Sequence, residues 1–305
     1  MARMAAVSVG SNTVHALIAD VAGGRIEEIS RRALLSGLGA AVERYGRIGP
    51  DKQAEALDQL RQLVEEAREA GSSEILCGAT AAVRRAADGP EFIGAAEAVV
   101  RLPVRLISGL REAQLSFLGT ASTHSYRGRW LLADLGGGST ELVVAEGSIG
   151  LVYSSLDLGS AALAARHLGD PPTREERAKV RRDALAALRE GPECEPERLV
   201  VTGGTSSTVP RILSPANPPA ILSRTELLDL AERIDAEPAP QLSRRLEVPE
   251  ARLRSMRAGV EILLMLLEWC RLDSLHVSHR GIRHGMLIAR LQHHGEWWKE
   301  AVERP

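Results

Sequence analysis

The run LLADLGGGSTELVV, residues 131–144, reads as a strand that ends near Asp134, a turn at Gly136-Gly137-Gly138, and a second strand that starts at Glu141. Glycine lacks a Cβ, so such a turn brings backbone N–H groups close to an anion, and consecutive N–H groups form a cradle for phosphate. Ser139 and Thr140 add hydroxyls, and Asp134 and Glu141 add two carboxylates. This set can hold phosphate and a divalent cation together, because Mg²⁺ takes one or two carboxylates and fills its remaining positions with water and phosphate oxygens. The same residues also make an ordinary glycine-rich hairpin, and one such turn decides nothing.

A second copy changes the weight of the first. Residues 4–29 show the same order of apolar runs and turns: a strand, the turn Gly10-Ser11-Asn12-Thr13, a second strand, a Gly23-Gly24 turn and a third strand. Ser8 stands where Asp134 stands in the other copy. After each meander the pattern alternates between helix and strand. Helices are predicted over 51–70, 89–100 and 110–120, with strands over 74–79 and 104–108. In the second half, helices are predicted over 174–189 and, as an amphipathic segment, over 252–271, with strands at 198–202 and 274–278. This predicts an α/β fold duplicated in one chain. The domains are set at 1–124 and 125–305, with the hinge near 122–129 and a final helix over about 281–303 that packs back on the first domain.

A third glycine-rich segment, Thr202-Gly203-Gly204-Thr205-Ser206-Ser207, follows a strand and precedes a possible helix. Strand, Gly-Gly-hydroxyl, helix is a phosphate-binding arrangement, and a serine-capped loop fits the residues equally well. The lysines are Lys52, Lys179 and Lys299, and none follows glycine as a Walker-type loop requires. Arginine therefore has to neutralise any bound phosphate.

The 305 residues carry 38 Lys plus Arg against 40 Asp plus Glu, a net charge of −2, which points away from nucleic acid or a membrane surface. No apolar run approaches the ~20 residues of a membrane span, so a cytoplasmic protein is expected. Cys77, Cys194 and Cys270 are odd in number and widely spaced, which argues against disulfides or a zinc site.

VGSNTVHALIADV (9–21), GATAAVRRA (78–86), ISGLREAQLSFLG (107–119), LLADLGGGSTELVV, TGGTSS (202–207) and HVSHRGIRHGMLIARL (276–291) together resemble the Ppx/GppA exopolyphosphatase and guanosine-pentaphosphatase family, in order and spacing over nearly the whole chain. The resemblance implies two actin-like, ribonuclease H-like α/β domains with a cleft between them. It also implies release of terminal orthophosphate from inorganic polyphosphate or guanosine pentaphosphate, with polyphosphate or guanosine penta- or tetraphosphate as partner and Mg²⁺ or Mn²⁺ as cofactor, and it suits the family's short two-domain form.

By the same resemblance, Glu112 takes the position of the base that activates water, and Arg84 that of an arginine contacting the transferring phosphate. Asp134 and Glu141 map to the carboxylates that hold the metal and the water. Gly10, Ser11, Asn12 and Thr13, together with Gly136, Gly137, Gly138 and Ser139, map to two phosphate loops, and Gly203, Gly204 and Thr205 to a later one. The chain departs from the family at Ser8, where an aspartate is usual. The alternative expectation is therefore a weakly active or inactive protein that binds polyphosphate or a guanosine alarmone.

Leu110 and Arg111 replace an acidic or polar pair and would make the surroundings of Glu112 more positive. His276, His279 and His284 lack a ligand pattern and read as structural. The tail with His293, His294, Trp297 and Trp298 is assigned to packing or a homodimer edge, and the arginine-rich helix over 174–189 to a solvated face.

Overall fold

The computed structural model describes residues 2–23, 25–123, 126–293 and 295–300. The chain forms two compact units, Met1–Thr123 with Arg280–Pro305, and His124–His279. The predicted Gly23-Gly24 turn and the 122–129 hinge each include residues outside the described set, as do His294 and the end of the predicted final helix.

The first unit runs β1 (Ala2–Val9), β2 (Thr13–Ala22), β3 (Arg25–Leu35), α1 (Leu38–Tyr45), α2 (Pro50–Glu69), β4 (Glu74–Ala79), α3 (Ala81–Arg85), α4 (Gly89–Val100), β5 (Val104–Leu106) and α5 (Gly109–Ala121). Its sheet has the order β3-β2-β1-β4-β5. The meander β1–β3 is antiparallel, while β1, β4 and β5 run parallel. The central β1 is buried from Met4 to Val9, as expected of a strand covered on both faces, whereas β3 at the edge exposes a charged series. Proline in the first turn starts α2, and the Asp88 carboxylate accepts from the N–H groups of Ile48 and Gly49 just ahead of it.

The second unit repeats the plan with β6 (Arg129–Leu135), β7 (Thr140–Glu146), β8 (Ile149–Leu156), α6 (Ser160–His167), α7 (Arg174–Leu188), β9 (Arg198–Gly203), α8 (Gly204–Leu213), β10 (Ile221–Ser223), α9 (Arg224–Asp235), α10 (Ala239–Leu246), α11 (Glu250–Cys270) and β11 (Ser274–Val277). Its sheet order is β10-β11-β9-β6-β7-β8, which is the first sheet's order with one antiparallel strand added beyond β11. Capping boxes at Thr173/Glu176 and Ser223/Glu226 start α7 and α9, two of the clearest local signals in this half.

Two expectations for this unit change. The helix predicted as amphipathic is α11, and every residue from Ser255 to Leu267 is buried, so it is the hub of the unit's core. The arginine-rich helix α7 is not simply a solvated face. Arg177 reaches Asp235 at 3.0 Å and Glu261 at 3.1 Å, and Arg181 reaches Glu261 at 2.5 Å. Glu261, 1% exposed, needs these cations because a carboxylate buried without them would be far too costly.

The last helix, α12 (Ile282–His293), lies in the first unit and packs on α5 and β1. The crossing requires glycine on both sides. A Cβ on Gly119 would collide with the Gly281 carbonyl, and one on Gly285 with the Leu115 carbonyl. Trp297 buries its ring with Ile107, Leu115 and Met286, which gives the tail a packing role.

Candidate active site

In the first unit the β1–β2 turn closes with Gly10 N–H donating to the Thr13 carbonyl at 2.9 Å. The segment entering α1 caps the turn from outside: Ser36 and Gly37 N–H donate to the Asn12 carbonyl at 3.0 and 3.2 Å, and Gly39 N–H to the Ser11 carbonyl at 2.5 Å. Ser11, Asn12 and Thr13 are all buried. The second unit builds the same device. Gly136 N–H donates to the Ser139 carbonyl at 3.0 Å, and the start of α6 caps the turn, with Ser160 N–H on the Gly136 carbonyl and Ala161 and Ala162 N–H on the Gly137 carbonyl.

The two copies differ at one cross-strand pair. In the second, Asp134 on β6 lies opposite Glu141 on β7, and Glu141, 1% exposed, accepts from the Ser155 hydroxyl at 2.7 Å. In the first, the corresponding partners are Ser8 and His15. Ser8 is buried, and its hydroxyl accepts from the Arg283 guanidinium of α12 at 3.2 Å. The carboxylate pair thus belongs to one copy, and the other copy places an arginine beside its hydroxyl.

The remaining predicted catalytic groups meet in the first unit. Arg84 on α3 donates from one nitrogen, Nη1, to the Ile107 carbonyl at 2.7 Å and to Glu112 Oε2 at 2.8 Å. Glu112 sits in the first turn of α5, where the unsatisfied N–H groups favour a negative charge, and Ser108 caps that turn by accepting from Arg111 N–H at 3.1 Å. The Arg111 guanidinium is buried and donates to the Trp297 carbonyl at 2.8 and 2.7 Å and to Gln114, so those donors are taken up by the tail and by its own helix. Burial lowers its pKa from the ordinary value.

The third loop is the junction of β9 and α8. Gly203 has φ of 107°, a conformation that disfavours a side chain, and a Cβ there would meet the Leu135 carbonyl and the Asp134 carboxylate. The loop therefore lies against Asp134 of its own unit. Thr205 is buried where α8 meets Gly259 of α11, and the Ser206, Ser207 and Thr208 hydroxyls donate to carbonyls of their own turn, which leaves the backbone as this loop's means of holding an anion.

Sequence reading missed Arg252. Its guanidinium lies against Gly204 at the start of α8, and burial lowers its pKa from the ordinary value. Among the described residues it has no carboxylate partner, so a cation sits at the mouth of a Gly-Gly loop. Its one advance signal was the absence of a lysine from every glycine-rich loop.

A family model for the Ppx/GppA phosphatase family matches residues 17–294. The chain belongs to that family. Ppx/GppA structures from Aquifex aeolicus match with TM-scores of 0.77 and 0.78 at 28% and 27% identity, covering 94% and 97% of this chain and 99% of each of those. The guanosine-5'-triphosphate,3'-diphosphate pyrophosphatase of Aeromonas salmonicida is 27% identical over 295 residues, which is 94% of this chain and 59% of that protein. An exopolyphosphatase structure from Cytophaga hutchinsonii, at 22% identity and a TM-score of 0.85 over 95% of this chain and 98% of its own, shares the fold. As a Ppx/GppA protein the chain thus consists of two actin-like α/β domains, each with the sheet order described above.

Among the described residues no three or more His, Cys, Asp or Glu side chains gather to hold a metal, and none forms a helix long and apolar enough to cross a membrane. His276, His279 and His284 do not form a cluster: His284 is buried against Glu28 at 2.9 Å, and His276 stacks edge-on to Tyr126. Asp134 and Glu141 are a two-carboxylate set, which fits a Mg²⁺ or Mn²⁺ ion that completes its shell with water and phosphate oxygens.

Proposed function

We propose that the chain is an exopolyphosphatase-type phosphohydrolase that releases terminal orthophosphate from inorganic polyphosphate or guanosine pentaphosphate. The observation that supports it most is the Arg84–Glu112 pair at the start of α5: a carboxylate and a guanidinium, fixed together at 2.8 Å on two short elements. Glu112 orients a water and takes its proton as the water oxygen bonds to the terminal phosphorus. The bond from that phosphorus to the bridging oxygen breaks, and the shortened chain leaves with the electron pair. Arg84 holds the carboxylate and offers its remaining donors to phosphoryl oxygens. The Gly10–Thr13 hairpin of the first unit offers backbone donors to phosphate oxygens, and so, in the second unit, do the Gly136–Ser139 hairpin and the β9–α8 loop with Arg252 beside it. Asp134 and Glu141 would hold the divalent ion, which when bound neutralises charge on the phosphate oxygens.

The retained Asp134/Glu141 pair supports hydrolysis despite Ser8, because the anionic ligands lie in the second copy. The second reading, a binding protein without turnover, draws on the Arg283–Ser8 contact, which puts a positive group where the family carries an aspartate. Phosphate release from short and long polyphosphate and from guanosine pentaphosphate with Mg²⁺ or Mn²⁺ separates the two. Release that Glu112→Gln abolishes supports the hydrolase, and binding without release, with activity gained in Ser8→Asp, supports the binding protein.

A further inference from the structure

A cavity of about 500 Å³ opens in the first unit on the start of β4. β4 runs parallel to β1 with Glu74 beside Met4 and Ala79 beside Val9, so the cavity lies at the end of the sheet opposite the Gly10–Thr13 turn. Its walls combine three guanidinium groups, Arg68, Arg105 and Arg290, with Leu102, Trp297 and Trp298.

The charges on this wall are unevenly satisfied. Arg290 is held by Glu74 at 2.5 Å. Arg68 spends one nitrogen on the Val100 carbonyl at 2.6 Å, and Arg105 lies 4.3 Å over the Trp298 ring. Among the described residues neither Arg68 nor Arg105 has a carboxylate partner. Two cations beside an aromatic face and an apolar wall suit a ligand with both an anionic end and a flat ring. A bare inorganic anion would leave the apolar wall uncovered, and an apolar molecule would leave the arginines without a counter-charge. The volume lies within the roughly 300–1,000 Å³ of small-molecule sites.

The tail that completes the wall is held in place. The Trp297 carbonyl accepts both bonds from Arg111, the Ser108 hydroxyl donates to Glu300 at 2.6 Å, and Trp297 and Trp298 meet edge to face at 6.1 Å. The pocket is thus formed before any ligand arrives, which reduces the ordering cost of binding.

We infer that this cavity is a second ligand site, separate from the glycine-rich loops, for an aromatic phosphate of nucleotide size. The ring lies on Trp298 and Leu102, and the phosphate bridges Arg68 and Arg105. The inference does not depend on the chain being a hydrolase.

Calorimetric titration of the full chain with adenosine and guanosine 5′-monophosphate, with adenosine and inorganic phosphate as separate arms, tests it. Expected is binding of at least one nucleotide below about 1 mM. Arg105→Ala and Trp298→Ala should each weaken it about tenfold, and Trp298→Phe should restore it with an unaltered melting temperature. Three results would each overturn the inference: no heat with either nucleotide, nucleotide binding that Arg105→Ala leaves intact, or inorganic phosphate binding that is as tight as the nucleotides' and is lost in Arg105→Ala.

Discussion

Arg84 Nη1 bonds to both the Ile107 carbonyl and Glu112 Oε2, which ties the end of β4's connection to the first turn of α5. Glu112→Gln keeps the size and a hydrogen bond from Arg84 but removes the basic oxygen. Phosphate release should fall by about 10²–10⁴ while substrate binding, measured by calorimetry, changes little. Arg84→Ala should lower release and also weaken binding, since it removes a phosphate contact along with the clamp on Glu112.

Asp134 and Glu141 face each other across β6 and β7. Asp134→Asn should raise the Mg²⁺ concentration needed for half-maximal release by about 10–100-fold. Stripping divalent ions with a chelator should stop release by the wild type, and adding Mg²⁺ or Mn²⁺ should restore it. A rate indifferent to chelation would remove these two residues from the proposed role.

Ser8 accepts from Arg283 at 3.2 Å. A carboxylate at that position would form an ion pair with the same guanidinium, so on the hydrolase reading Ser8→Asp changes the rate by less than about tenfold. A steady-state comparison with Asp134→Asn would show which copy of the hairpin carries the chemistry.

His284 is buried, and burial pushes its pKa down to about 4 even though the hydrogen bond it makes to the Glu28 carboxylate works in the other direction. The unfolded chain's histidine titrates near the ordinary value of 6.5. Between those values the unfolded state binds more protons than the native one, so stability falls as pH drops from about 6.5 to about 4 and is fully present above that window. The loss should be on the order of 2–3 kcal/mol. Urea denaturation at pH 7 and pH 4.5 should show it, and His284→Gln should flatten the dependence.

Glu261 is the shared anion of Arg177 and Arg181 inside the second unit. Glu261→Ala would leave guanidinium charge partly buried without it and should cost about 3–5 kcal/mol, read as a lowered denaturation midpoint. Glu261→Met would add apolar contact but leave the same charges unmatched, so it should recover only part of the loss.

Much of this architecture is legible along the chain. The meanders, their glycine turns and the strand at 74–79 are coded by apolar alternation and by residues that permit tight turns, both of which act over a few neighbours. Helix α9 and strand β10 went unread, since β10 is only three residues long and sits among prolines. The burial of α11 was misread because Arg257 and Glu261 look like a polar face until Asp235, Arg177 and Arg181 are seen to neutralise them.

The sequence by itself determined the duplicated α/β plan and the Asp134/Glu141 pair, because a two-residue periodicity and a turn fix which side chains share a strand end, while Glu112 was placed by the resemblance of its segment to the Ppx/GppA family. Only the tertiary structure decided that Arg283 faces Ser8, that Arg252 closes on Gly204, that Arg111 turns to the Trp297 carbonyl, and that Arg68, Arg105 and Trp298 line one cavity. Those pairings join residues far apart in the chain, and no local pattern encodes them. They follow from how helices pack on sheets.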